Sequence, residues 1–180
     1  MALDFITSDK KGFTINMAHY VKRAKEVRDG FIINGNSWLR IYVNSDYSLG
    51  YFFGCFLSRG IANLSNYRGQ VVFRMYDDED ATKLYESVED AFNLAARFRV
   101  LSPERYETII YSKPLAVLLR EFGMGEERKL PEKYLVNNEK YLSGMKDGIH
   151  DFRGFEEDDR ETLKKRRFSR HVKEIYDSID

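Results

Sequence analysis

A single cysteine, Cys55, rules out an internal disulfide and any Cys/His zinc cluster. It sits in an apolar run, where a thiol serves as a small buried hydrophobe. The histidines His19, His150 and His171 are too scattered to form a metal site between them. No charge sign dominates, since 29 Lys and Arg balance 29 Asp and Glu. That balance argues against a surface that grips nucleic acid everywhere and leaves such a role to local charge placement. The longest apolar run, residues 49–57, is far shorter than the roughly 20 residues of a spanning helix. Residues 1–11 lack the apolar stretch of a signal peptide. The expectation is a soluble, intracellular protein with no membrane partner. No phosphate loop, dinucleotide fingerprint or Gly-x-Ser-x-Gly elbow occurs, so neither a cofactor nor a small-molecule substrate is indicated.

Apolar material is nevertheless plentiful. Hydrophobic residues make up 43%, with 13 Phe and 12 Tyr, which suffices for a packed core and excludes a disordered chain. Residues 18–27 suggest a short helix with a basic face of Lys22, Arg23 and Lys25. Residues 31–33 and 38–43 read as a hairpin around the turn signal Asn34-Gly35-Asn36. Ser45 or Asp46 is a helix N-cap, and the helix closes at Gly60. Strands follow at 61–66 and 70–76, with Val71, Phe73 and Met75 on one side. A helix over 80–98, strands at 99–101 and 106–111, and a helix from Ser112 to Gly123 complete a helix-strand-strand-helix-strand-strand-helix order. A further helix runs from Asn138 or Glu139 to about Asp151. An acidic patch then precedes a basic helical stretch whose apolar face is Phe168, Val172, Ile175 and Ile179.

Two of these helices carry small residues four apart: Gly50, Gly54 and Ser58 in one, Gly144 and Gly148 in the other. Glycine inside a helix costs about 1 kcal/mol against alanine. Residues four apart share a face, and a face without side chains admits another backbone unusually close. The pattern predicts that the two helices pack against each other, the alternative being two unrelated helices with incidental glycines.

The runs 52–60 and 146–154 each place a glycine, apolar residues, a charged residue and a closing glycine in the order of the LAGLIDADG homing-endonuclease motif, the second with Gly148, Ile149, Asp151 and Gly154 in place. With the strand-strand-helix filler between them, residues 46–154 resemble that family, in its intein-associated form. The stretch 108–112, then 115–123 and Lys129-Leu130-Pro131, adds to the likeness. The resemblance implies an α+β fold: an αββαββα repeat whose paired motif helices meet at a pseudo-twofold interface, beside a saddle-shaped sheet that lies on DNA. It also implies an acid at the end of each motif helix to hold divalent metal at the scissile phosphates. Here those positions are Arg59 and Arg153. Shifting the second motif's register puts Ile149 there instead, which is no ligand either. Guanidiniums repel a divalent cation and suit a phosphate. A cation is also welcome at a helix C-terminus simply as a cap. The second repeat has 26 residues after Gly154 (180 − 154), too few for a second saddle half.

The organisation expected is therefore an N-terminal hairpin segment (1–45), a LAGLIDADG-like domain (46–154) and a charged C-terminal helix (155–180). No catalytic residue and no metal are expected. Candidate nucleic-acid contacts are Arg59, Arg153, Asn63, Asn66, Arg68, Gln70 and Arg74, together with the basic run Lys164, Lys165, Arg166 and Arg167. The sheet residues equally suit an ordinary solvated face, and the basic run a solvated helix. The leading expectation is a non-cleaving DNA-binding protein of phage or mobile-element type. A maturase-like RNA binder and a structural protein with a protein partner are the alternatives.

Overall fold

The computed structural model describes residues 9–22, 26–124, 127–153 and 170–179. At the N-terminal end, β1 (Thr14–Asn16) pairs with β5 (Tyr42–Asn44), and β2 (Glu26–Arg28), β3 (Phe31–Asn34) and β4 (Ser37–Arg40) form a separate antiparallel sheet. The main unit follows as α1 (Tyr47–Arg59), β6 (Ile61–Leu64), β7 (Gly69–Met75), α2 (Asp78–Phe92), β8 (Arg97–Ser102), β9 (Arg105–Tyr111) and α3 (Lys113–Arg120). Then come α4 (Glu139–Arg153) and α5 (Arg170–Ser178). The four strands lie in the order β6-β7-β9-β8, all antiparallel. The architecture is α+β. No helix among the described residues is long and apolar enough to cross a membrane.

Several element ends follow from side-chain caps. The Asp46 carboxylate accepts from Leu49 N–H at the start of α1, and the Ser112 hydroxyl accepts from Leu115 N–H at the start of α3. α2 begins under Asp77, with Asp78, Glu79 and Asp80 in its first turn, where carboxylates complement the helix dipole.

Three expectations need correction. Residues 18–27 do not form a helix: Met17–Tyr20 is a short 3-10 turn, and Glu26–Arg28 is a strand. The deciding feature is Asp29-Gly30, whose φ values of 50° and 83° make the two-residue turn that pairs Arg28 with Phe31. The strand at 38–43 is broken at Ile41, so β4 and β5 belong to different sheets. The helix at 80–98 stops at Phe92, because Asn93 turns left-handed (φ 57°) and donates to the Trp38 carbonyl at 2.7 Å. Chain beyond it pairs with β9 instead. Phe168 lies outside the described residues, while Val172, Ile175 and Ile179 are buried.

One core serves these elements. Val71, Phe73, Met75 and Ile110 point inward from the sheet, beneath α1, α2 and α3. Ile15, Met17, Ile32, Leu39 and Val43, from the segment set apart as 1–45, join the same cluster. Phenylalanines interlock edge to face: Phe52 with Phe92 at 5.3 Å, Phe53 with Phe122 at 4.9 Å and Phe73 with Phe152 at 5.9 Å.

Tyr141 is the exception in this core. It is fully buried, and among the described residues its hydroxyl has no hydrogen-bond partner. An unsatisfied buried hydroxyl costs free energy that a phenyl ring of the same shape does not. Tyr141→Phe is therefore expected to stabilise the fold by about 1 kcal/mol, seen as a higher urea midpoint with an unchanged slope.

Candidate functional site

α1 and α4 lie against each other, and the glycines are where they touch. A Cβ built on Gly50 would collide with the Tyr141 carbonyl, and one on Gly54 with the Met145 carbonyl. From the other side, Gly144 faces the Tyr47 carbonyl and Gly148 that of Tyr51. The contacts advance in the same direction along both helices, so the pair is parallel and both C-termini arrive at one place. Ser58 closes the stripe, its hydroxyl 3.5 Å from the Ile149 carbonyl.

That shared end is held by cations. Arg59 Nε donates to the Phe152 carbonyl at 2.6 Å, tying the last turn of α1 to that of α4. Arg128, from the segment after α3, donates to the Phe56 carbonyl at 2.6 Å and stacks over the Phe56 ring at 4.6 Å. Both guanidiniums meet helix C-terminal carbonyls, whose partial negative charge attracts them. Arg153 is the last residue of α4, so the chain places it at this same end.

Along one flank of the pair runs a second polar array. Tyr47 donates to Asp147 and Tyr51 to Asp151, each at 2.8 Å, as two rungs one helical turn apart. Asp151 also meets Lys83 of α2 at 3.4 Å, and this carboxylate is the main cause that raises the Lys83 pKa. Burial, then the Asp151 charge, pushes the Asp80 carboxyl from its ordinary 3.8 up to about 6. Burial likewise pushes the Cys55 thiol up, which suits its role as a packed hydrophobe. Among the described residues no group of three or more His, Cys, Asp or Glu is arranged to hold a metal ion.

The remaining candidates concern the outer face of the sheet. Alternation along the register puts Asn63, Gln70 and Tyr111 in one row across the strands, and Arg74, Glu107 and Arg99 in another. Glu107 is bonded to Arg99 at 2.5 Å and to Arg74 at 3.6 Å. Arg97 lies over the Tyr111 ring at 5.2 Å, and Arg105 over Tyr76 at 6.0 Å. Arg68 and Asn66 sit in the exposed β6–β7 turn, where the Asn66 carbonyl accepts from Lys113 at 2.6 Å. The sheet thus brings Asn63, Gln70 and Arg74 together and sets Asn66 and Arg68 at its rim. Arg59 lies at the helix joint. Lys164, Lys165, Arg166 and Arg167 fall outside the described residues. Sequence reading missed Arg97 because it was assigned to the end of α2, and it placed Arg99 and Tyr111 on strands without marking them as candidates for this face.

No protein-family model matches the chain, and no curated protein matches it either.

Two measurements follow. Gly54→Ala should lower stability by at least about 1 kcal/mol by overpacking the interface, whereas Ser143→Ala, on the exposed side of α4, should leave it unchanged or slightly raised. For Asp80, a folded-state pKa above the unfolded one favours the protonated form. Its contribution is thus fully present below about pH 4 and lost as pH rises through about 6. Asp80→Asn should accordingly raise the melting temperature at pH 7.5, with the difference disappearing below pH 4.

Proposed function

We propose that this chain is a non-cleaving, LAGLIDADG-like protein that binds duplex DNA through the outer face of its four-stranded sheet. The observation that carries the reading is the row structure of that face. Arg74, Arg97, Arg99 and Arg105 share it with Glu107 as the carboxylate, and Asn63, Gln70 and Tyr111 supply hydrogen bonds and an aromatic surface. Guanidiniums neutralise phosphates, and amide side chains read base edges. The zero net charge is no obstacle, because the charges are segregated: Asp77, Asp78, Glu79 and Asp80 gather at the start of α2, beneath the opposite face.

Loss of cleavage rests on the donor set at the helix joint. Where the resembling family places metal-binding acids, this chain has Arg59 and Arg153. Arg59 is also engaged with the Phe152 carbonyl, so it fastens the helix ends together. Asp147 and Asp151 are the nearby carboxylates on α4, and each accepts a tyrosine hydroxyl.

The test is duplex retention as a function of salt. Wild-type protein should bind duplex DNA with an affinity that falls as salt rises. Arg74→Glu combined with Arg97→Glu should weaken it by about tenfold or more at low salt and flatten the salt slope. No strand cleavage is expected with Mg²⁺ or Mn²⁺. Preference for structured RNA over duplex would favour the maturase-like alternative, and no nucleic-acid binding at low salt would discard the reading.

A further inference from the structure

Strand β8 is one of the two outer strands of the sheet, opposite β6, and among the described residues no strand pairs with its free edge. Its sides differ in chemistry. Phe98 and Val100 point to the helix side yet are 49% and 61% exposed, because α2 does not extend over them. Between Phe98 and α2 lies a cleft of about 240 Å³, lined on the helix side by Asp78, Ala81, Thr82 and Tyr85. Arg97 and Arg99 point to the opposite face. Edge strands are normally blunted against pairing, and an apolar patch beside an open edge marks a place where another chain adds on.

A second copy of this chain is a poor occupant. Centring two β8 strands on Phe98 sets Arg97 against the other copy's Arg99. Centring them on Arg99 sets like charges face to face. Centring them on Val100 meets the irregularity between Val100 and Ser102, and then Pro103.

We propose that β8 receives, by strand addition, an extended segment of another protein in which apolar residues alternate with Asp or Glu. Backbone groups of the segment would pair with the free edge of β8. Its apolar side chains would enter the cleft against Phe98 and Tyr85, and its acids would lie along Arg97 and Arg99. Charge fixes the phase: Asp78 repels acids on the cleft side, while Glu107 neutralises one guanidinium of the Arg74–Arg99 pair and leaves the arginine side positive. The segment shares Arg97 and Arg99 with the DNA reading but differs from nucleic acid in needing the free edge and the cleft, which that reading does not use.

The experiment uses the full chain and a fluorescent synthetic peptide alternating Glu with Val and Phe. Anisotropy and amide exchange over residues 97–102 are read together. The peptide should bind and slow exchange in β8. Replacing its Glu by Lys should weaken binding by about tenfold, and Arg97→Glu in the protein should reverse that preference. N-methylating alternate peptide amides, tried in both phases, should abolish binding in one phase. The proposal is overturned by failure of the acidic peptide to bind, by binding indifferent to charge reversal and N-methylation, or by concentration-dependent self-association that already protects β8. DNA retention plays no part in these readouts, so either reading can fail while the other holds.

Discussion

Direct backbone contact between α1 and α4 governs the rest of the molecule. Gly50, Gly54, Gly144 and Gly148 leave no room for a side chain between the two helices, and each Cα–H points at a carbonyl of the neighbour. Each glycine forgoes about 1 kcal/mol of helix propensity, a cost offset by dispersion contacts between closely apposed backbones. Because the helices meet so tightly, the phenylalanines of α1 are displaced to its other side. Phe52, Phe53 and Phe56 face the sheet and α3, where they meet Phe73 and Phe122. The same contact that bares one face of α1 therefore supplies the aromatic core on the other.

Parallel packing brings two negative helix ends to one point, an arrangement that repels itself unless positive charge is supplied. Arg59 and Arg128 supply it by bonding the carbonyls of Phe152 and Phe56. The joint is thus organised around cations that satisfy backbone oxygens, and a carboxylate pair there would face the opposite balance. Carboxylates collect instead along the flank, where tyrosine hydroxyls and Lys83 hold Asp147 and Asp151. Arginine on the outer sheet face and acid at the start of α2 complete a separation of charge that the overall sum of zero conceals.

Much of this was legible from residues alone, and the reasons are specific. Gly50 and Gly54, with Gly144 and Gly148, announce a close approach because nothing else justifies glycine in mid-helix. Asp46, Ser112 and Gly60 mark ends through local capping chemistry, which needs no knowledge of distant chain. The failures occur where distant chain decides. Residues 93–98 continue the helical periodicity of α2, yet 93–96 form a connector and pairing of Arg97 with Ile109 claims Arg97 and Phe98 for the sheet. Ile41 looks like the middle of a strand, but its N–H bonds the Gly30 carbonyl and its own carbonyl accepts from Met17. Asp29-Gly30 was a readable turn signal that the apparent helix over 18–27 overshadowed. On the site, residue types at Arg74 and Gln70 were visible. Arg97 was hidden by the same error that lengthened α2, whereas Arg99 was placed on a strand but its face was set only by the pairing with Glu107.

The interface between α1 and α4 also joins remote parts of the chain: Tyr51 and Asp151 stand 100 positions apart. Closing a loop of that length loses chain entropy before any contact compensates, which slows proteins rich in such pairings. The β6–β7 and β8–β9 hairpins between the two helices shorten the effective span once formed, because each returns the chain nearly to its starting point. The order of assembly that follows is hairpins first, then α1 against their inner face. α4 docks after them, and the core closes only when α5 adds Val172, Ile175 and Ile179.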